Sequence, residues 1–368
     1  MTRFEIVHTE SSCGWGGQEL RIIDESEGFL GRGHGVTIVA SPESRIIVEA
    51  RKRAVPAVAL PIARRSVWGL RAMRGYLGSR RIDIVNTHSS TDSWLAALAA
   101  RMLKAPPTLV RTRHVSAPIP GNWPSRWLYR SAAAHVVTTG AALRLQLIRE
   151  IGLEEGRVTS VPTGIDLGRF CPGDRHAARA FLGIPPDDFL IGIVATLRSW
   201  KGHRYLVDAF AALGDVGSRL AIIGDGPGAE NLHRQIAALG IKDRVLMPGN
   251  QIDVVPWLRS MDIFALPSYA NEGVPQAVMQ AQACGIPVIS TAVGSIGEIV
   301  AHNATGLLVA PQDSDSLRTA IARLKGDAEL RARLGAAALD QAKACYSAAK
   351  MIDRMQDVFL DVMACGYR

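Results

Sequence analysis

The sequence has 368 residues, of which 48% are hydrophobic and 21% are charged, and its formal net charge is +8. A chain of this length exceeds the size at which one hydrophobic core keeps growing, so we expect two domains of an ordinary soluble α/β protein. No apolar run approaches the roughly 20 residues that span a bilayer, and the charged first strand lacks the apolar core of a signal peptide.

Cysteine usage and charge distribution bound the function classes further. The five cysteines lie far apart without a C-x-x-C pair, so neither a disulfide framework nor a zinc site is suggested, and a reducing cytoplasm is expected. Residues 1–165 contain 22 Lys and Arg against 13 Asp and Glu, whereas the remainder contains 20 against 21. This asymmetry indicates an anionic partner for the first half: nucleic acid, a membrane surface or an acidic acceptor.

Short β-branched runs alternate with longer helical ones, which is typical of βα units and parallel sheets. Predicted strands occupy residues 4–8, 35–40, 82–87, 108–112 and 135–138, then 190–195, 219–223, 245–247, 263–266, 287–290 and 306–309. Turn-rich segments at 161–166 and 171–174 predict a linker between the two series. We therefore expect one domain over 1–166 and a second over 167–350.

In the first half, residues 13–19 follow the first strand and open a helix. Gly16 and Gly17 permit close backbone approach, and a helix start favours an anion, although the same residues can form a simple structural turn. His88 and His114 each end a predicted strand. Each of them is either a site residue or hydrogen-bonded scaffolding.

Two basic segments, 64–77 and 123–130, carry apolar residues at helical spacing with arginines between them. This pattern is compatible with an interfacial helix that binds anionic lipid. The apolar face can equally pack on the sheet while the arginines stay solvated. Both alternatives remain open at this stage.

In the second half, the strand at 190–195 runs into a loop that carries Arg198 and Lys201. Cations at the carboxyl end of a parallel strand lie where such sheets bind ligands, and they suit a diphosphate leaving group; otherwise they are solvated loop residues. Glu272 stands on a Gly/Pro turn before a helix, where it can bind a ligand or only favour the helix dipole.

Two further patterns have simpler explanations. Residues 224–229 match the dinucleotide-binding pattern G-x-G-x-x-G/A, with Asp243 downstream, but Pro227 disturbs the helix start. Asp313 and Asp315 resemble a metal-binding D-x-D, yet helix N-capping explains them better.

The turn Glu272-Gly273-Val274-Pro275 resembles the donor-binding motif of the family 4 retaining glycosyltransferases, E-G-x-P followed by a second Glu eight positions after the first. Here that position holds Gln280, which keeps an acceptor oxygen but lacks the charge. The family pattern G-R-L-x-x-x-K-G is matched by Lys201, while Thr196 stands at the Arg position and Arg198 is the expected substitute.

The resemblance is strong over residues 135–312 and looser before them. It implies the GT-B fold, an α/β architecture of two facing Rossmann-like domains with a ligand cleft, in which a last helix at about 351–368 packs back on the first domain. It also implies a set of site residues. The implied catalytic residues are Glu272 and His114, and the implied donor-binding residues are Gly16, Gly17, Arg198, Lys201, Gly273, Val274, Pro275 and Gln280.

The resemblance implies transfer of a sugar from a nucleotide diphosphate-sugar to an acceptor hydroxyl, with retention of configuration. We expect no metal or cofactor, because no convincing D-x-D is present and Arg198 and Lys201 can meet the diphosphate charge. The expected acceptor is lipid-linked or part of a surface glycan, such as a lipopolysaccharide. No nucleic acid partner is expected, and the expected location is cytoplasmic with peripheral contact at the inner face of the cell membrane. Rival functions are a nucleotide-sugar epimerase, a glycosyl phosphorylase, or a non-catalytic nucleotide-sugar binding protein.

Overall fold

The computed structural model describes residues 2–365, and these residues form thirteen strands in two sheets. The strands are β1 Glu5–Glu10, β2 Gly35–Ala40, β3 Ala57–Ala59, β4 Ile84–Thr87, β5 Thr108–Arg113, β6 His135–Thr138, β7 Val158–Ser160, β8 Phe189–Val194, β9 Ser218–Ile223, β10 Val245–Gly249, β11 Ile263–Leu266, β12 Val288–Thr291 and β13 Gly306–Val309.

Fifteen α-helices connect and cover these strands within the described part of the chain. They are α1 Gly17–Gly31, α2 Arg45–Lys52, α3 Val67–Gly78, α4 Ser90–Arg101, α5 Trp123–Trp127, α6 Ala141–Gln146, α7 Arg175–Leu182, α8 His203–Ala211, α9 Ala229–Ala238, α10 Val255–Ser260, α11 Gln276–Ala283, α12 Ile296–Ile299, α13 Ser314–Gly326, α14 Ala328–Cys345 and α15 Ala348–Ala364.

The described residues divide into two compact units, one up to Gly164 together with the residues from Ala348 onward, and the other Ile165–Ser347. The first unit has a seven-stranded sheet in the order β3-β2-β1-β4-β5-β6-β7, and the second has a six-stranded sheet in the order β10-β9-β8-β11-β12-β13. All pairings between these strands are parallel. This architecture confirms the predicted α/β class with two Rossmann-like sheets.

Strand order reverses between β1 and β4 in the first unit and between β8 and β11 in the second. Connections leave these neighbouring strands toward opposite faces of the sheet, which opens a crevice at their carboxyl ends. Open α/β sheets bind their ligands in such a crevice. The topology therefore points to the loops that follow β1, β4, β8 and β11.

Each of the eleven predicted strands is present, with ends within two residues of those expected. Two strands, β3 and β7, were not predicted from the sequence. Both have only three residues and lie at the edges of the first sheet. The residues of β3 are Ala-Val-Ala, and those of β7 lead directly into the segment that reads as a linker, so neither gives a periodic apolar signal.

Helix α15 completes the core of the first unit. Its residues Ile352, Met355 and Phe359 are buried, and the Phe359 ring stacks on that of Phe29 in α1 with centroids 5.2 Å apart. At the edge of this contact, Arg32 donates a 2.8 Å hydrogen bond to Gln356. The apolar stripe of this helix is therefore what holds the end of the described chain on the first sheet.

The core of the second unit surrounds its central strands. β8 is an apolar run in which Leu190, Ile191 and Ile193 are fully buried, as expected for a parallel strand covered by helices on both faces. None of the helices within residues 2–365 has both the length and the apolar character needed to cross a membrane.

Candidate functional site

In the second unit, the loops after β8 and β11 meet beside the point where strand order reverses. Gly202 has φ +77°, and a Cβ there would collide with the carbonyl of Pro267. Only glycine combines this backbone conformation with such a close approach. A hydrogen bond of 2.8 Å from the Tyr269 N–H to the Trp200 carbonyl joins the same two loops. The β8 loop is thus fixed against the β11 loop.

This arrangement brings together Lys201 and Glu272, which are 71 positions apart in sequence. Lys201 Nζ lies 2.7 Å from Glu272 Oε1, and the Ser268 hydroxyl donates a 2.6 Å hydrogen bond to the same oxygen. The Glu272 side chain is 4% exposed and that of Lys201 19%. An ammonium has three N–H donors, so Lys201 retains two for a ligand while it holds Glu272.

A third loop, which follows β12, supports Glu272 from behind. Gly294 has φ +62°, and a Cβ there would collide with the Glu272 carbonyl. Thr291 at the end of β12 donates its hydroxyl to the Ser268 carbonyl at 2.5 Å. Neither Ser268 nor Gly294 was predicted from the sequence, because their roles depend on which loops the sheet places side by side.

Arg198, the predicted substitute for the family arginine, is exposed, and its carbonyl accepts a 3.0 Å hydrogen bond from the Lys201 N–H. Its guanidinium lies 5.4 Å from the centroid of the Trp200 ring. Thr196 is also exposed. The neighbouring turn at 224–228 holds this loop through two backbone hydrogen bonds. The Leu197 N–H donates to the Asp225 carbonyl at 3.0 Å, and the Gly228 N–H donates to the Leu197 carbonyl at 2.8 Å. That scaffolding explains the glycine-rich sequence without a dinucleotide.

Helix α11 begins directly after the predicted donor-binding turn. Pro275 is its N-cap, and Gly273 and Val274 are buried beside it. Asn271 opens the turn with φ +58°, a left-handed conformation that asparagine tolerates better than most residues. Gln280 is partly exposed one turn into the helix. Its side-chain amide makes no hydrogen bond to another described residue, which leaves it available to a ligand.

His203, to which the sequence assigned no role, is buried at the start of α8 next to Gly202. Its Nε2 has no hydrogen-bond partner among the described residues. Burial, followed by the nearby positive charge of Lys201, lowers the pKa of His203 to about 4. The ring is therefore neutral beside the ion pair.

Asp313 acts as an N-cap, as its spacing predicted. Its carboxylate accepts hydrogen bonds from the backbone N–H groups of Asp315 and Ser316, and these bonds, that of Ser316 first, lower the pKa of Asp313. Within residues 2–365, no three His, Cys, Asp or Glu side chains cluster in a way that could hold a metal ion.

In the first unit, the glycine loop precedes α1, with Gly16 as its N-cap and Gly17 as its first residue. Gly16 has an extended backbone with φ −173°, and a Cβ there would meet only Glu19 Oε2 at an ordinary 3.8 Å. The packing of the fold thus does not require glycine at position 16. Gln18 ties the loop to the sheet by donating to Glu10 and to Ser89 Oγ.

Two buried carboxylates lie beneath this loop. Asp92 of α4 accepts the hydroxyl of Thr9 at 2.6 Å and the backbone N–H of His88 at 3.0 Å. Burial, opposed by these hydrogen bonds, raises the pKa of Asp92 to about 6. Burial and then the charge of Asp92 raise the pKa of Glu10 to about 8. Both groups hold neighbouring loops at the carboxyl ends of β1 and β4.

The two predicted histidines contact each other and a third one. His88 Nδ1 lies 2.9 Å from His114 Nε2, and His88 Nε2 lies 2.9 Å from His8 Nδ1 in β1. Burial first, then neighbouring positive charges, lower the pKa values of all three rings, that of His8 to about 3. His8 and His88 are buried, whereas His114 is partly exposed.

The basic segment 64–77 contains α3, which shows features of both interpretations offered by the sequence. Its residues Met73, Tyr76 and Leu77 are buried in the core. At its start Trp68 is 73% exposed, with Arg71 lying 5.7 Å from the ring centroid. The other segment also exposes a tryptophan, Trp123.

A surface depression of about 480 Å³ lies at the opposite, amino-terminal edge of the second sheet. Asp262, at its base, is paired: it binds Arg175 at 2.6 Å, Arg179 at 2.7 Å and the Leu190 N–H at 2.7 Å. These contacts tie α7 to the sheet. The residues that line the depression do not include Lys201 or Glu272.

Several curated relatives of this chain are named D-inositol 3-phosphate glycosyltransferase. A D-inositol 3-phosphate glycosyltransferase of Streptomyces bingchenggensis is 31% identical over 313 residues, which cover 78% of this chain and 68% of the relative. One of Stackebrandtia nassauensis is 38% identical over 199 residues, 50% of this chain and 45% of the relative. The chain spans about half the length of several curated relatives that it matches.

Solved structures share the fold at low sequence identity. Anabaena HepE in complex with UDP has a TM-score of 0.85 at 20% identity, covering 97% of this chain and 100% of HepE. A glycosyltransferase from Rickettsia africae has a TM-score of 0.88 at 19% identity, with 99% of each chain covered.

Two family matches together span most of the chain. Residues 174–341 match Glycosyl transferases group 1, and residues 15–169 match Glycosyltransferase Family 4. Together with the two parallel sheets, these matches confirm the resemblance carried by the turn at Glu272. The chain belongs to the family 4 glycosyltransferases of group 1 and has the GT-B fold.

Proposed function

We propose that this protein is a glycosyltransferase that moves a sugar from a nucleotide diphosphate-sugar to an acceptor hydroxyl and retains the anomeric configuration. The observation that carries the proposal is the Lys201–Glu272 pair at the strand-order reversal of the second sheet. One ammonium and one carboxylate in contact match the two parts of such a donor, an anionic diphosphate and a polyhydroxylated sugar.

The donor would bind along the start of α11. The helix dipole favours the diphosphate there, and the two unused donors of Lys201 reach its oxygens while the third holds Glu272. Negative charge builds on the bridging oxygen as the sugar leaves, so a preorganised cation lowers the barrier. Lys201 supplies this charge without a metal ion.

The contacts of Glu272 suit it to binding sugar hydroxyls more than to nucleophilic attack. Its Oε1 accepts two hydrogen bonds, from Lys201 and Ser268, and Oε2 makes none with another described residue. A carboxylate so engaged is a good acceptor for sugar hydroxyls and a weakened nucleophile. This favours attack by the acceptor on the same face as the departing phosphate, without a covalent sugar–enzyme intermediate.

The acceptor would bind the basic first unit and carry negative charge. The curated relatives are named for D-inositol 3-phosphate, a phosphorylated acceptor. A lipid-linked or surface-glycan acceptor, expected from the sequence, would satisfy the same charge if it bears phosphate. Both kinds of acceptor would present a hydroxyl near a phosphate group. Transfer assays with each kind of acceptor distinguish them.

The purified protein should transfer sugar when a panel of nucleotide-sugars is offered with D-inositol 3-phosphate or with phosphate-bearing lipid-linked acceptors. Activity should survive EDTA, because Lys201 meets the diphosphate charge. Product mass and the anomeric proton coupling measure transfer and configuration. Donor binding without any transfer would favour a non-catalytic binding protein. Isomerisation of the sugar without an acceptor would favour an epimerase, and phosphate-dependent cleavage would favour a phosphorylase. Strict dependence on magnesium or manganese would refute metal independence.

Lys201→Ala should weaken donor binding and lower kcat/KM roughly 100-fold, as for loss of one transition-state charge contact. It also leaves Glu272 as a buried carboxylate without its cation, which lowers the free energy of unfolding. Thermal unfolding of Lys201→Ala, and of Lys201→Ala combined with Glu272→Gln, separates the two effects.

Arg198→Ala should reduce donor affinity less than Lys201→Ala does, and the exposed Arg234→Ala is the matched control. If Thr196→Ala lowers donor affinity while Arg198→Ala leaves it unchanged, the assignment of Arg198 to the donor site is wrong.

Glu272→Gln should depress kcat far more than nucleotide affinity, because the amide can still accept from Lys201 and Ser268 while it presents no charge to the sugar. Gln280→Ala should weaken donor and free nucleotide alike by about 0.5–1.5 kcal/mol, the net value of a neutral hydrogen bond. Gln280→Glu should keep or improve affinity, since an ionised acceptor binds ribose hydroxyls more strongly. Calorimetry and turnover on all three variants provide the measurements. Wild-type activity in Glu272→Gln would remove the basis of the transferase proposal.

Anionic vesicles should bind the protein through the first unit, because exposed Trp68 stands among the arginines of the 64–77 segment. Each cation near an anionic surface contributes about 1 kcal/mol, and salt screens the attraction. Co-sedimentation should fall steeply with added salt and with Arg71→Glu plus Arg74→Glu. The matched control, Arg234→Glu plus Lys242→Glu, makes the same charge change on the second unit. Equal binding to neutral vesicles would refute the electrostatic account.

A further inference from the structure

Four buried or partly buried groups of the first unit form a continuous line from the core to a partly exposed ring. Glu25 of α1 lies opposite His8: its Oε1 is 3.9 Å from His8 Nε2, longer than a hydrogen bond, and His8 Nε2 has no hydrogen-bond partner among the described residues. His8 contacts His88, and His88 contacts His114, each at 2.9 Å. The rings come from β1 and from the carboxyl ends of β4 and β5, which are neighbours in the sheet.

The direction of the hydrogen bonds along this line follows from its inner end. Each neutral imidazole has one N–H donor and one acceptor nitrogen, so one choice fixes all three rings. If His8 presents an N–H at Nε2, that donor faces the Glu25 carboxylate. If it presents a lone pair there, two acceptors face each other inside the core, which is unfavourable.

Glu25 is held as the acceptor end. Arg21 donates to its Oε2 at 3.4 Å, and Asn86 donates to its Oε1 at 3.3 Å. Burial raises the pKa of Glu25, and the charge and hydrogen bond of Arg21 oppose that effect. Two donors on the carboxyl group favour the ionised form, so the unpartnered His8 Nε2 faces an acceptor and is better placed as an N–H than as a lone pair.

We propose that Glu25, His8 and His88 are positioning residues that hold His114 in the tautomer with its proton on Nε2 and a bare lone pair on Nδ1. In this arrangement His8 Nε2–H points to Glu25, His88 Nε2–H donates to His8, and His114 Nε2–H donates to His88. The Nδ1 atom of His114 makes no hydrogen bond with another described residue. It then accepts a hydrogen bond from a substrate hydroxyl, a role that rests on the proposed transferase function.

The positive surroundings keep this line neutral. Arg21 and Arg113 are the charged groups that act on His114, and after burial both lower its pKa. A second proton on His8 or His88 would place two N–H groups opposite each other and break the line, and a second proton on His114 would cover its Nδ1 lone pair. A neutral relay is therefore the form in which all its inner hydrogen bonds are made.

Ring nitrogen chemical shifts of the ¹⁵N-histidine-labelled, full-length protein test the tautomers without any substrate. His8, His88 and His114 should all show protonated Nε2 and unprotonated Nδ1 at neutral pH. Assignment by His8→Gln, His88→Leu and His114→Gln identifies the signals. Protonated Nδ1 on His114 would overturn the proposal, whatever the activity of the protein, whereas correct tautomers in a protein that transfers no sugar would count against the transferase function alone.

Variants separate positioning from a merely structural role. His88→Leu removes the acceptor for His114 Nε2–H, so the His114 signals should change to a mixture of tautomers. The value of kcat should fall roughly tenfold, because one hydrogen bond is lost in the transition state. The KM for the donor should not change. His135→Leu is the control, because His135 is a buried strand histidine hydrogen-bonded to Thr159 and outside the line. An unchanged His114 tautomer in His88→Leu, or an equal loss of kcat in His135→Leu, would refute the relay.

Discussion

The second unit depends on one constraint, the burial of the Glu272 carboxylate. A buried charge is costly unless it is paired and hydrogen-bonded, and removal of one partner costs several kcal/mol. Lys201 and Ser268 satisfy Glu272 from two different loops, and Gly294 lets a third loop pack on its carbonyl. The loops after β8, β11 and β12 are therefore tied together before any ligand arrives. In the proposed transfer, a preorganised charge pair of this kind would avoid reorganisation when the bond to the diphosphate breaks.

Much of the fold could be predicted because parallel strands buried on both faces have strong apolar runs. β8 and β12, for example, are recognisable from residues 189–194 and 288–291 alone. β3 and β7 could not be found in this way. They exist because a neighbouring strand offers free backbone groups, and Ala57–Ala59 accordingly pairs with β2 without any apolar pattern of its own.

The candidate site was predictable only as separate residues. The turn at Glu272 and the cation Lys201 carry local sequence patterns, but their contact depends on strand order, which no local pattern encodes. His8 was missed for a related reason: it lies inside a strand, where a histidine reads as an ordinary core residue. Arg198 stays a predicted donor-binding residue, and its guanidinium lies 5.4 Å from the centroid of the Trp200 ring.

The two units handle charge in opposite ways, and the difference suits the two halves of a group transfer. The second keeps a cation beside its carboxylate, as the proposed leaving diphosphate would require. The first is rich in cations, yet its histidine line is neutral, because burial and Arg21 lower the pKa values of the rings. A neutral imidazole can accept a hydroxyl hydrogen bond, and an imidazolium cannot. The same positive charge that would attract an anionic acceptor thus also keeps His114 in the form able to receive its hydroxyl.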